Sequence, residues 1–315
     1  MRRVGGFAAA VLAAAIVLGV ARGVTTPAVC GGSPAQQTYE HVIWILLENQ
    51  SYDRIIGPAG SPASAESPYL NRVLVPACGL ATNFHNITHP SIPNYLALTS
   101  GSTHGLTTPC QPDECQIDGP SIFSQLRSSK RSWRAYMQSM TQPCDPVENG
   151  FYAADHNPAV YYTSIRTDCA KFDLPLAPFA TALKTNRLPA FSYVKPDTCH
   201  DGDDCTVANG DAWLATWVPR ITKTADYRAG HVVIFISWDE GAPARATDCT
   251  TAPDEPGCHI PTIVVSRAVR TGTRSSVFFD HYSLLKTTEQ LLGLKGFLGH
   301  AANPSTSSLR PAFKL

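Results

Sequence analysis

The 315-residue sequence has no excess of either charge, no C-x-x-C pair, no internal repeat and no long polar linker. Each absence closes a class of function. Because 25 Lys and Arg offset 25 Asp and Glu, nucleic acid and anionic membrane surfaces, which select for basic patches, are not expected as partners. The longest basic cluster, Arg127 to Arg134, reads as a solvated helix face. Without C-x-x-C spacing neither a zinc ribbon nor a dithiol redox motif is expected. With no repeat or linker, residues 30–315 are expected to form a single domain, and no stable protein partner is predicted. A stretch rich in Pro, Asp and Tyr at about 110–180 reads as an insertion framing one side of the site.

What is present begins with an export segment. Arg2-Arg3 precede an apolar run from Val4 to Ala21, followed by Thr, Pro and Gly, so residues 1–29 fit a secretory signal. The run also approaches spanning length, so an uncleaved anchor is the alternative. Val29 before Cys30, far from the apolar run, makes a poor lipidation site. All ten cysteines follow this segment, which fits an oxidising compartment and a secreted or cell-surface protein. Cys110/Cys115, Cys199/Cys205 and Cys249/Cys258 are spaced for short loop staples. Cys30/Cys78 and Cys144/Cys169 would complete five bridges, although spacing alone leaves the connectivity open.

Four apolar runs read as strands buried on both faces: His41–Leu47, Ala190–Val194, His231–Ser237 and Ile260–Ser266. Helical patterns follow at Tyr95–Ser100, Asp211–Lys223 and His281–Leu292. The alternation predicts an α/β fold with a doubly wound, mostly parallel sheet sandwiched by helices. In such sheets functional groups collect beyond the carboxyl ends of the strands. Here those ends carry Glu48-Asn49, Pro196-Asp197 with His200-Asp201, Asp239-Glu240, and Asp280-His281 after a loop.

Ser91 stands between Pro90 and Pro93 at a helix start. Taken alone it reads as an N-cap. The same position aims free N–H groups and the helix dipole at whatever its hydroxyl attacks, which suits a phosphoryl group. Glu48 and Asn49 read singly as an exposed strand end, and Asp239-Glu240 as a turn. Together they form a hard-oxygen ligand set suited to Mg, Ca or Mn. His200 and His281 are surface histidines, further ligands, or the acid that protonates a leaving oxygen.

The segments His41–Asp53, His89-Pro-Ser-Ile-Pro-Asn-Tyr95 and Ser237-Trp-Asp-Glu-Gly241 resemble the bacterial phosphoesterase family, which contains secreted acid phosphatases and phospholipases C. That family belongs to the alkaline-phosphatase-like superfamily. The likeness is closest to short mycobacterial-type acid phosphatases, which share His200-Asp201-Gly202, Asn209 to Leu214, and His281-Tyr282 through Gln290 in the same order. The resemblance implies Ser91 as the phosphoryl-accepting nucleophile, Glu48, Asn49, Asp239 and Glu240 as ligands of one or two divalent metal ions, and His156 facing the phosphate. The expected site is thus Ser91, His200 and Asp201 in catalysis, with His89, Asn94, His156, Asp197 and His281 toward the phosphate. Two-metal relatives place an Asp and a His four residues apart, whereas Asp197 and His200 are three apart, and Glu240 replaces a usual histidine. A sulfatase needs C-x-P-x-R, and Cys110-Gln-Pro-Asp-Glu114 ends in glutamate. The expected function is a secreted acid phosphatase acting on a small phosphorylated substrate or phospholipid head group through a phosphoserine. A phospholipase C is the alternative, made less attractive because longer phospholipases of the family continue past the catalytic region. A non-catalytic binding protein on the same fold is the reading from a different class.

Overall fold

The computed structural model describes residues 28–315 apart from Ala246, together with the isolated Met1 and Gly5. The signal segment expected at 1–29 therefore falls almost wholly outside the described residues. Among the described residues no helix is long and apolar enough to cross a membrane.

Nine strands form one sheet: β1 His41–Leu47, β2 Gly79–His85, β3 Trp133–Met137, β4 Asp173–Pro175, β5 Phe191–Lys195, β6 Val232–Trp238, β7 His259–Ser266, β8 Arg274–Ser275 and β9 Phe279–Asp280. Their order is β4-β3-β5-β1-β6-β7-β2-β8, with β9 also pairing β2. The central run β3-β5-β1-β6 is parallel. Only β7 runs against its neighbours β6 and β2. The expected mostly parallel α/β sheet is present, with the apolar run of β7 lying antiparallel within it. A parallel return needs a crossover, usually a helix. Among the described residues, the chain from β6 to β7 holds only the short turn Pro256–Cys258, and the strand comes back antiparallel.

The two faces of β1 show how the layers are held. Trp44 on one face donates from Nε1 to Thr288 Oγ1 at 2.9 Å, in the His281–Leu291 helix. Leu47, an odd number of residues on, points to the opposite face. There it meets the Val207–Thr222 helix at Gly210, where an added Cβ would lie 3.2 Å from Leu47 and 3.3 Å from the His200 carbonyl. A larger residue would press on both, because helix and strand end touch there. Every residue of β6 is buried, and β1 and β7 are buried beyond their first residues, so no alternation could show in their sequences.

Strands β2, β3 and β4 were not evident in the sequence. Strand β2 carries half-buried Thr82 and Asn83 and a register shift between Ala81 and Phe84, which break its pattern. Because β3 and β4 build one side of the sheet, the 110–180 stretch contributes to the core as well as to the surface. The Arg127–Arg134 cluster is not one helix face. The Ile122–Ser128 helix ends inside it and β3 begins at Trp133. All five disulfides follow the expected pairs: Cys30–Cys78, Cys110–Cys115, Cys144–Cys169, Cys199–Cys205 and Cys249–Cys258.

Glu289 is fully buried in the His281–Leu291 helix and accepts the Leu298 N–H at 2.9 Å. Burial pushes its carboxyl up to about 8 from an ordinary 4.5. Its second oxygen, Oε2, is buried with no hydrogen-bond partner, so little there supports the charged form. The folded state therefore holds a proton that the unfolded chain releases, and stability falls as pH rises from about 4.5 through 8. Glu289→Gln keeps the acceptor and removes the ionisation. It should melt close to wild type at pH 4.5 and ~5 °C or more above it at pH 9, read by calorimetry.

Candidate active site

The register of the parallel strands assembles the site. Leu47 pairs with Trp238 and Ile45 with Val194, so Glu48, Asp239 and Lys195 emerge at one rim of the sheet. Asn49 takes a left-handed conformation (φ 52°), which Asn tolerates better than most residues. This turns its N–H onto Asp239 Oδ1 at 3.1 Å.

The Ser91–Ser100 helix delivers the hydroxyl. Ser91 is its first helical residue and Pro90 occupies the cap, which corrects the expectation that Ser91 is the N-cap. No side chain caps the helix, so the Ser91 hydroxyl is free to point elsewhere. It donates to Glu48 Oε2 at 3.3 Å. The other oxygen of Glu48 is crowded. Lys195 Nζ lies 3.0 Å from Oε1 and His156 Nδ1 3.5 Å from it, and the Tyr95 hydroxyl also donates to it. One side of this carboxylate is saturated, and the other faces Ser91.

Asp239 lies against both Glu48 and Ser91. It is fully buried, and its Oδ2 has no hydrogen-bond partner. Burial pushes the Glu48 carboxyl far up, and repulsion from Asp239 adds to it; burial pushes Asp239 up as well. An unpartnered buried oxygen beside a second carboxylate and a hydroxyl fits a hard divalent cation, which would remove the desolvation cost of both acids. Glu48, Asp239, Ser91 and the adjoining Asn49 are the residues placed to hold it.

The other expected residues divide. Glu240 has both oxygens engaged: Oε1 is 3.2 Å from His89 Nδ1, and Oε2 accepts from Asn94 at 3.1 Å. Burial raises Glu240 to about 7, while its hydrogen bond with His89 opposes the shift. Asn94 was expected against the phosphate. Instead it is fully buried, and its Oδ1 accepts the Ile87 and Thr88 N–H groups at 3.0 and 3.1 Å, bracing the turn before Ser91. His281 needs the same correction. It is fully buried, donates from Nε2 to the Asp239 carbonyl at 2.5 Å, and is pushed down to about 4 by burial, so it props the Asp239 backbone as a neutral ring. His156 and Asp201 join the Glu48 cluster. Asp197 and His200 form a separate pair. His200 Nδ1 donates to Asp197 Oδ1 at 2.5 Å and Ser139 donates to Asp197 Oδ2 at 2.6 Å. Among the described residues none of their hydrogen bonds reaches Glu48, Ser91 or Asp239.

Two residues at the centre of the site were missed from the sequence. Lys195 left a signal: a lysine ending an apolar strand, directly before Pro196-Asp197. Tyr95 left none, since it reads as an apolar helix position. Burial opposes the charge of Lys195, but Asp201 and Glu48 outweigh it and hold the ammonium charged. In turn Lys195 and His156 overcome the effect of burial on Asp201 and hold its carboxyl low.

The carboxylate crowding predicts opposite responses with and without metal. Asp239→Asn should melt above wild type in chelator, because it removes one of two abutting buried charges. With saturating Mg2+ or Mn2+ the order should reverse, and calorimetric titration should show at least ~10-fold weaker binding on loss of one charged ligand.

A model of the phosphoesterase family matches residues 63–295, a span that includes Ser91, Lys195 and Asp239. A phosphatidylinositol-3-phosphatase from Mycobacterium tuberculosis H37Rv is 29% identical over 281 residues, covering 88% of this chain and 84% of its own length. An acid phosphatase from Aspergillus niger is 26% identical over 271 residues, 82% of this chain and 59% of that protein. One from Aspergillus fumigatus is 22% identical over 228 residues, 68% of this chain and 48% of that protein. The chain thus spans only about half to three-fifths of these fungal relatives. Among solved structures, an alkaline phosphatase superfamily protein from Vibrio parahaemolyticus superposes with a TM-score of 0.57 at 12% identity, over 86% of this chain and 72% of that one. A phosphonate monoester hydrolase from Silicibacter pomeroyi gives 0.54 at 12% identity, over 87% and 76%. At such identities these two likenesses speak for the fold, which is alkaline-phosphatase-like. The family match spans well over half the chain and the site residues fall on its sheet rim: the chain belongs to the phosphoesterase family and is a hydrolase of phosphoric esters.

Proposed function

We propose that the chain is an exported, metal-assisted acid phosphatase that hydrolyses phosphate monoesters through a phosphoserine at Ser91. The observation carrying this reading is the convergence of the Ser91 hydroxyl, Glu48 Oε2 and the unpartnered Asp239 Oδ2 at one buried rim. A divalent ion such as Mg, Ca or Mn bound there supplies positive charge that lowers the serine pKa and neutralises the incoming phosphate. Five disulfides support export to an oxidising compartment. The name of the mycobacterial relative extends the substrate class to the phosphate of a phosphoinositide head group, itself a monoester.

The chemistry runs in two displacements. Ser91 Oγ attacks phosphorus, the phosphorus–oxygen bond to the leaving alcohol breaks, and Glu48 Oε2, already accepting the serine hydrogen, is placed to take its proton. The leaving oxygen gains a proton from a nearby acid. Water then attacks the phosphoserine phosphorus, freeing phosphate and restoring the hydroxyl. His200 is our choice for the acid. Asp197 holds its Nδ1, no hydrogen bond among the described residues occupies Nε2, and the ring is 40% exposed. The His89–Glu240 pair, two residues before Ser91, is the competing donor.

Ser91→Ala should melt within a few degrees of wild type, since the side chain caps nothing. It should lose at least ~100-fold in phosphate release, on the scale of a missing catalytic group. A folded variant keeping half its activity rejects the phosphoserine route. The substrate panel is p-nitrophenyl phosphate, a phosphoinositide and phosphatidylcholine; turnover of phosphatidylcholine alone would favour the phospholipase C reading instead. His200→Ala should lose ~10-fold or more on an alkyl phosphate but little on p-nitrophenyl phosphate, whose leaving group needs no acid. If His89→Ala shows that split and His200→Ala does not, the assignment moves to His89.

A further inference from the structure

Glu48, His156 and Asp201 offer three ligand atoms within 4.8 Å of one another, all buried, beside the cation position read above. By residue type this is a second metal site. Yet Lys195 Nζ sits in it, 3.0 Å from Glu48 Oε1 and 2.5 Å from Asp201 Oδ2. His156 Nδ1 is 3.5 Å from the same Glu48 oxygen and 3.7 Å from the same Asp201 oxygen. The ammonium, at 1% exposure, is as deep as the acids that hold it. A divalent ion needs oxygen contacts of ~2.0–2.6 Å from those same two atoms, and a neighbouring ammonium would repel it strongly at this depth, where screening by solvent is weak.

We propose that Lys195 is a built-in cation that fills the second position of the site, so that the chain takes one divalent ion where its carboxylate count would serve two. The residues do not fit a second ion while lysine is there. Lys195 acts as a positioning residue. By neutralising Glu48 Oε1 and Asp201 it leaves Glu48 Oε2 turned to Ser91 and to the single metal position beside Asp239. Glu48 is the hinge of the arrangement, with one oxygen serving the protein cation and the other the exchangeable one.

The inference rests on the metal-assisted reading, and its test separates the two. Full-length protein is loaded with Mn2+, desalted and analysed for bound manganese and by electron paramagnetic resonance. Wild type should hold one ion per chain with an uncoupled spectrum. Lys195→Ala should hold two, and because Glu48 would then bridge them, the spectrum should show spin coupling between ions a few ångströms apart, ~3.5–4 Å in bridged two-metal sites. Lys195→Ala/Asp201→Asn, lacking one donor of the vacated position, should return to one. Two ions in wild type, or no gain in Lys195→Ala, overturn the proposal. A wild type holding none rejects the metal-assisted reading, while the gain of one ion on removing Lys195 still decides this one. If Lys195→Ala folds only when Mn2+ is present, the ion is replacing the ammonium, as proposed. If it stays unfolded at millimolar Mn2+ while the double variant folds, the cluster does not accept a divalent cation and the proposal fails.

Discussion

The structure is arranged around a carboxylate that ought not to be buried. Glu48 lies at zero exposure between Asp239 and Asp201, both almost as deep. Leaving such charges unpaired would cost more than a domain can usually spare. Cations must therefore be brought in. Lys195, delivered by the neighbouring parallel strand, meets one face of the cluster. The face toward Ser91 and Asp239 is left with an unpartnered oxygen. That imbalance is what the proposed divalent ion would relieve.

Much of the surrounding polar structure holds this rim in place. Asn94 ties the chain before Ser91 to Glu240, and Glu240 in turn engages His89. His281 reaches from the start of its helix to the carbonyl of Asp239, and the left-handed turn at Asn49 places an N–H on the Asp239 side chain. These groups act through backbone and orientation.

The five disulfides complement this. Cys199–Cys205 closes the loop carrying His200 and Asp201, and Cys249–Cys258 closes the long return between β6 and β7. Both loops lie at the rim of the sheet that carries Glu48 and Asp239, where strands end and backbone partners are scarce. Cross-links there restrict loop freedom without adding core.

The α/β class, the strands β1, β5, β6 and β7, the helix carrying Ser91, and the rim residues Glu48 and Asp239 were legible along the chain, because each depends on local signals: apolar runs too long to be surface, prolines at a helix start, acids just past a strand. The reversal of β7 and the strands β2 to β4 were not, because direction is set by the crossover and a bulged or edge strand carries no clear period. Residue type and spacing grouped Ser91, Glu48 and Asp239, which the structure brings together, but gave no sign that Asn94 and His281 are buried against backbone. The central place of Lys195 and Tyr95 came only from strand register and helix packing. A lysine at a strand end is ordinarily a solvated terminus. It becomes the counter-ion of the site only when parallel pairing sets Lys195 beside Glu48 and folds the loop of Asp201 back over both. Local sequence determined which chemistry was available, and tertiary register decided which groups are close enough, and dry enough, to use it.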